Sequence, residues 1–197
     1  MFSFFKKKRQ QEAQRASSAM ELLDRVNRLR SVQLSFFQSL LNLTDEVSDR
    51  IVDQYEQFGT FNTLEVHAFC ASIVATAVVG SDLPEDETPT IVDIYLGLWV
   101  DSVAQHGNGV NGPGLKDQMR RLWAEYCPLI IRAANELSPQ IMHDPDSVAV
   151  RLVRNVDRLA GVDRDEGQQS VAAVNFKVAA TEAIRIVGGL ASTSADV

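Results

Sequence analysis

The longest uncharged stretch of the chain follows Glu65. On a helix, Ser72 and Thr76 fall in the same narrow stripe as Glu65, and nearly every other position is apolar. A helix that is apolar on almost all sides is typical of a buried central helix. The stretch is shorter than the ~20 apolar residues that a bilayer-spanning helix needs. The pattern therefore predicts a buried helix over residues 64–79, ending at Gly80, around which the rest of the chain packs.

A second pattern precedes it, in which apolar residues alternate at spacings of three and four. The seam consists of Ala19, Leu22, Val26, Leu29, Gln33, Phe36, Leu40 and Leu43. Such a heptad pattern predicts one long helix from about Glu12 to Leu43. Its first half carries little apolar surface, so Leu22, Val26 and Leu29 are candidate partner-binding residues, with a homodimer through this helix as one possibility. Packing within the chain is the other possibility.

Helix signals continue to the C-terminus, and no alternating strand pattern occurs. They predict helices from Asp45 to Phe58 after a Thr44 cap, from Thr88 to His106, from Leu115 to Leu137 with Pro128 kinking or dividing it, from Asp144 to Ala160 with Gly161 as the stop, and from Gln168 to Val187 with its end at Gly188 and Gly189. The predicted fold is all-α, a single-domain bundle of seven to eight helices with a core cluster of Phe69, Ile73, Leu98 and Trp99. We expect this domain to span residues 12–189, between an N-terminal arm over 1–11 and a flexible tail over 190–197.

Charge is spread unevenly along the chain. Residues 1–30 carry eight Lys and Arg against three Asp and Glu, and the remainder carries 11 against 23, which gives a net charge of −7. An acidic body argues against a broad nucleic-acid surface, which needs basic patches to neutralise phosphates. The basic arm also has three aromatic residues at its tip, a combination that suits an anionic membrane. The predicted membrane-binding residues are Phe2, Phe4, Phe5, Lys6, Lys7, Lys8 and Arg9.

Cysteine usage and the N-terminal pattern both bear on the compartment. Cys70 and Cys127 lie in apolar surroundings and read as free buried thiols rather than a disulfide framework. The N-terminus has its aromatics before its cations, the reverse of a signal peptide. We therefore expect a cytoplasmic protein that can sit at the inner face of a membrane.

Candidate sites for catalysis or metal binding are weak. His67 and Cys70 share a helix but lack the paired spacing of a zinc site, so we expect no metal and no cofactor. The glycine-rich segment 107–114 lacks the Gly-Lys-Ser/Thr ending of a phosphate-binding loop. Asp93 and Asp101 are expected on a solvated strip of their helix, and no catalytic signature accompanies them.

A row of arginines is the better candidate for a partner. Arg151, Arg154 and Arg158 share one helix face and can bind an acidic partner or a phosphate. The simpler interpretation is a solvated face whose cations suit the helix dipole.

Two function classes follow from these patterns. The first is a non-catalytic helical scaffold or adaptor that binds a protein partner and associates peripherally with an anionic membrane through its arm. The alternative is a helical enzyme or small-ligand-binding bundle with a site between helices. An enclosed pocket lined by Glu65, His67 or Asp93 would favour the second class, and a solid core with an exposed apolar groove the first.

Overall fold

Eight helices make up the described chain, which in this computed structural model comprises residues 20–106 and 112–194. They are α1 (20–27), α2 (Leu34–Glu56), α3 (Thr63–Val79), α4 (Thr88–His106), α5 (Gly112–Asn135), α6 (Ser138–His143), α7 (Val148–Ala160) and α8 (Glu166–Ser194). No strand occurs in these ranges. The prediction of a single all-α bundle of seven to eight helices is confirmed. The arm residues Phe2 to Arg9, Ala19 of the seam and residues 195–197 of the predicted tail lie outside the described residues.

Helix α3 is the centre of the bundle, as its sequence predicts. Every side chain from Ala68 to Val78 is buried, and α3 contacts α2, α4, α5, α7 and α8. The hydroxyl groups of Ser72 and Thr76 donate to the carbonyls of Ala68 and Ser72 within the helix, so they need no outside partner. Helix α3 is apolar on almost all sides because other helices pack against it on almost all sides.

The predicted core cluster is present, with a difference in what surrounds Phe69. Phe69, Ile73 and Trp99 are buried in one core, and Leu98 packs against it from a half-buried position. The Phe69 ring, however, contacts aromatic rings of α5 and α8 rather than of α4. The core is thus held from several sides of α3 at once.

The predicted long helix from Glu12 to Leu43 is wrong. The chain bends at residues 28–33, and α2 then continues without interruption past Thr44 to Glu56. Thr44 is not a cap, because its hydroxyl donates to the Leu40 carbonyl at 2.8 Å and forms a buried hydrogen bond of 2.5 Å with the Tyr95 hydroxyl. Thr44 therefore forms a tertiary contact between α2 and α4, and the helix continues through it.

The helix bounds also differ in the second half of the chain. Pro128 lies inside the continuous α5, and a short helix, α6, separates α5 from α7. Helix α7 begins at Val148 rather than Asp144 and ends as predicted at Gly161, whose φ of 75° is left-handed. Helix α8 runs beyond Gly188 and Gly189 to Ser194, since Ala191 is buried against the core and a glycine costs a helix only about 1 kcal/mol.

Candidate functional site

The candidate site is an open groove of about 330 Å³ between α5 and α7. Its lining combines apolar, cationic and amide side chains: Leu129, Val148, Arg151, Leu152, Arg154 and Asn155. Leu129 comes from α5, and the others come from α7. Leu152 is buried and Arg151 is exposed, so the groove has an apolar floor and a cationic rim.

The start of α7 positions the groove residues. The Ser147 hydroxyl accepts from the Val150 N–H, and the Glu136 carboxylate of the α5–α6 link accepts from the Val148 and Ala149 N–H groups at 2.7 and 2.9 Å. Two acceptors therefore satisfy the first N–H groups of the helix, and the Glu136 charge is favourable at this helix end. From that start, the 3.6-residue period turns Val148 and Leu152 to the same side of α7.

The two arginines of the rim differ in how they are held. Arg154 donates through Nε to Gln169 Oε1 of α8 at 2.6 Å, and its Nη1 lies 3.8 Å from the exposed Asp146 carboxylate. The Arg151 side chain has no ion pair within the described part of the chain. One cation is thus pre-oriented while the other is free to reach a ligand, which suits the binding of carboxylates or phosphates.

Arg158, the third arginine of the predicted row, does not line the groove. It is exposed near the C-terminal end of α7, one turn beyond Arg154. Its positive charge opposes the effects of burial and of Glu125 and Glu65, which together raise the pKa of Tyr126 to about 12. The structure therefore brings two of the three arginines into one groove, and partner binding by this helix face stays a prediction.

The predicted partner-binding residues of the early seam face the chain's own core. Val26 is buried, and Leu22 and Leu29 pack against the core from half-buried positions. Arg25 of the same helix donates to Asp93 of α4 at 2.7 Å. In this conformation α1 is docked on the body of the protein.

The carboxylates considered for catalysis are not gathered in a pocket. Asp93 pairs with Arg25 and Arg120, and these cations outweigh its burial and lower its pKa. Asp101 is exposed, and Glu65 and His67 are half-buried. Burial raises the pKa of Glu65 and lowers that of His67. Neither this groove nor the small cleft between α2 and α8 is lined by Glu65, His67 or Asp93.

The structure contains a buried ion pair that was not predicted from the sequence. Arg164 Nε lies 3.1 Å from Asp157 Oδ1, with both side chains no more than 5% exposed, and the guanidinium lies over the rings of Tyr55 and Phe58. Burial raises the pKa of Asp157 in spite of its arginine partner. The only sequence signal is an Asp and an Arg on either side of Gly161. The pair joins the end of α7 to the end of α2, where Arg164 also donates to the Gln54 carbonyl.

A second unpredicted feature, which we call the Glu87 clamp, holds the bend between α1 and α2. The Glu87 carboxylate accepts from the Arg30 N–H and Nε and from the Ser31 N–H and hydroxyl, at 2.5–3.0 Å. Burial alone would raise the pKa of Glu87, but these hydrogen bonds lower it to about 2. Nothing local in the sequence around residue 30 points to an acid 57 residues later.

Three further searches, for metal sites and membrane-spanning helices among the described residues and for related proteins, found no match. Among the described residues, no three His, Cys, Asp or Glu side chains converge as metal ligands. Every helix in the same ranges is too short or too polar to cross a bilayer. The chain matches no protein-family model, no curated protein and no solved structure.

Proposed function

We propose that this protein is a helical adaptor that binds an acidic, partly apolar segment of a partner protein in the α5–α7 groove. The observation that carries the proposal is the combination in one groove of an apolar floor, Leu129 and Leu152, with a cationic rim, Arg151 and Arg154. Leucine-like side chains of the partner would fill the floor, and its carboxylates would pair with the rim. The groove is open to solvent, so a segment of a partner chain can reach it from the surface.

Charge complementarity is the reason for choosing an acidic partner. Arg151 has no competing carboxylate in the described ranges, and the Arg154–Asp146 contact is long, with the Asp146 side chain exposed. An exposed pair of this kind contributes only about 0–1 kcal/mol, so a partner carboxylate can replace Asp146 at little cost. The whole chain has a net charge of −7, which would repel an acidic segment from most of the surface outside the groove.

A peptide-binding measurement tests the groove. The probe is a fluorescent peptide in which Glu and Leu alternate, compared with a Lys and Leu peptide of equal length, by anisotropy. The acidic peptide should bind more tightly, and Arg151→Glu with Arg154→Glu should weaken it at least about fivefold. The control for a charge reversal outside the groove is Arg185→Glu, because Arg185 is exposed on α8 about 24 Å along the helix from Gln169. Equal binding of both peptides, or full binding by the double variant, would refute the proposal.

A photo-crosslinker at Asn155 identifies the natural partner in cells. Asn155 lines the groove without being one of the two rim cations. The expected product is a crosslink to an acidic segment that disappears with the Arg151 and Arg154 reversals and persists with the Arg185 reversal. Crosslinks that persist with all three changes would show that the partner touches Asn155 without being bound by the groove arginines.

The N-terminal arm gives the adaptor a second proposed attachment, to an anionic membrane at the cytoplasmic face. Lys6, Lys7, Lys8 and Arg9 each contribute about 1 kcal/mol near an anionic leaflet. The phenylalanines at positions 2, 4 and 5 add to this by entering the headgroup boundary, since full burial of one apolar side chain contributes about 1.5–3 kcal/mol. A homodimer would strengthen the attachment by presenting two arms at once.

Liposome co-sedimentation tests the arm separately from the groove. Binding to anionic vesicles should fall with added salt, with neutralisation of the four cations and with the three phenylalanines changed to serine. Neutral vesicles are the control for nonspecific pelleting. Equal recovery of the full chain and of a chain that starts at Gln10 would eliminate membrane attachment and leave the groove proposal intact.

A further inference from the structure

The bend between α1 and α2 conflicts with the sequence that forms it. Residues 28–33 contain neither glycine nor proline, and the heptad seam continues through them from Leu29 to Phe36 without losing register. Such a segment is compatible with continuous helix. The structure nevertheless shows no helix at 28–33, with a turn at Arg28 and bends at Arg30 and Ser31. A contact from outside the segment must therefore maintain the bend.

Val32 of the segment is buried in the core, and the Glu87 clamp is the contact that binds the backbone of the bend. In a continuous helix the Arg30 and Ser31 N–H groups would donate to carbonyls one turn earlier, but here both donate to Glu87 at 3.0 Å. Arg30 also pairs with Asp86 at 2.7 Å, which adds a second acid from the same loop. Charge-assisted hydrogen bonds of this kind are stronger than neutral ones. The clamp thus replaces helical hydrogen bonds at the two positions where the helix would have to continue.

We infer that α1 is an exchangeable element, and that its partner is a second copy of this chain. When the clamp opens, residues 28–33 join α1 and α2 into one straight helix that carries Leu22, Val26 and Leu29 away from their own core. The matching acceptor surface is then vacant on both copies. Each α1 fills the acceptor surface of the other copy, where the Arg25–Asp93 ion pair forms again between chains.

Self-complementarity identifies the occupant. A domain-swapped dimer reuses the contacts that the monomer already makes, so each copy buries the same seam and satisfies the same charge pair. Any other partner would have to match both the spacing of the seam and Asp93. The exchange is independent of the α5–α7 groove, so either proposal can fail without the other.

Two substitutions act in opposite directions on the bend. Glu87→Gln removes the charge from the clamp and should lower the dissociation constant of the dimer about tenfold or more. Leu34→Pro disfavours only the straight form, because Leu34 is the first residue of α2, where proline is well tolerated, but would lie inside the joined helix. Gln33 already has the extended backbone, with φ −113° and ψ 174°, that a residue before proline requires.

Light scattering after size exclusion, across a wide range of protein concentration, gives the result. The Glu87→Gln variant should dimerise at lower concentration than the unmodified chain, and combining it with Leu34→Pro should restore the monomer. The matched control is Glu85→Gln, which neutralises an exposed acid of the same loop and should change nothing. Small-angle scattering of the dimer should show an elongated particle.

Three outcomes overturn the inference. They are a Glu87→Gln variant that is folded and remains monomeric, a double variant that remains dimeric, and an equal response to Glu85→Gln. Far-UV circular dichroism separates these from loss of folding. If Glu87→Gln proves unstable, Ser31→Ala removes one donor to the clamp and keeps the carboxylate, and it should shift the equilibrium in the same direction by a smaller factor.

Discussion

Replacing Phe69 with alanine tests whether α3 is the energetic centre of the bundle. The Phe69 side chain is 2% exposed, and its ring centroid lies 5.6 Å from that of Tyr126 and 5.1 Å from that of Phe176. Removing a buried phenylalanine typically costs about 3–5 kcal/mol, which includes the cavity that it leaves. Aromatic pairs add about 0.5–1.5 kcal/mol each, so the upper half of the range, about 4–5 kcal/mol, is expected here.

Chemical denaturation measures the change in the free energy of unfolding directly. A loss of this size also predicts a fall in melting temperature of about 8–20 °C for a chain of this length. The control is Val178→Ala on α8, two residues from Phe176, because Val178 is 55% exposed and should change stability by no more than about 0.5 kcal/mol. A loss below about 1 kcal/mol for Phe69→Ala would show that the bundle does not depend on this helix.

Three further predictions concern contacts far from that core. Because Glu87 has a folded-state pKa of about 2 against an ordinary value of 4.5, its stabilising effect should be complete above about pH 4.5 and disappear as the pH falls towards 2. Unfolding curves of wild type and Glu87→Gln should converge over that interval, and a constant gap would contradict the assignment. Arg164→Met should cost about 3–5 kcal/mol by leaving Asp157 buried without its partner. Adding Asp157→Leu should recover much of that loss in denaturant titrations, and no recovery would mean that packing rather than charge holds the site. Gly161→Ala should destabilise by about 1–2 kcal/mol because of its left-handed φ, whereas Gly188→Ala, with equally open space and no such φ, should stabilise α8 by about 0.5–1 kcal/mol in melting experiments.

Local patterns in the sequence were enough to predict much of the fold. The position of α3 follows from the uncharged stretch after Glu65, and the end of α7 follows from Gly161. Both are decided by residues within a turn or two of the feature itself. The bend at residues 28–33 is different, since it depends on an acid 57 residues away that reaches the backbone of Arg30. Heptad spacing alone can only predict a straight helix there.

For the candidate site, too, only the features that nearby residues determine could be predicted. Helical spacing placed Arg151 and Arg154 on one face of α7, and both do line the groove. Their floor needs Leu129 from another helix, and no pattern within α7 specifies that neighbour. The Asp157–Arg164 pair was missed for a related reason, because its geometry depends on how the loop after Gly161 folds back to place Arg164 over the rings of Tyr55 and Phe58.

The central position of α3 has a consequence during synthesis on the ribosome. Phe69 is made early, but Phe176, which packs against it, belongs to the last helix. At roughly 5–20 residues per second, the roughly 100 residues between them take about 5–20 s to translate. During that time the apolar surface of α3 that α8 later covers stays exposed. The nascent protein should therefore depend most on chaperones before α8 emerges.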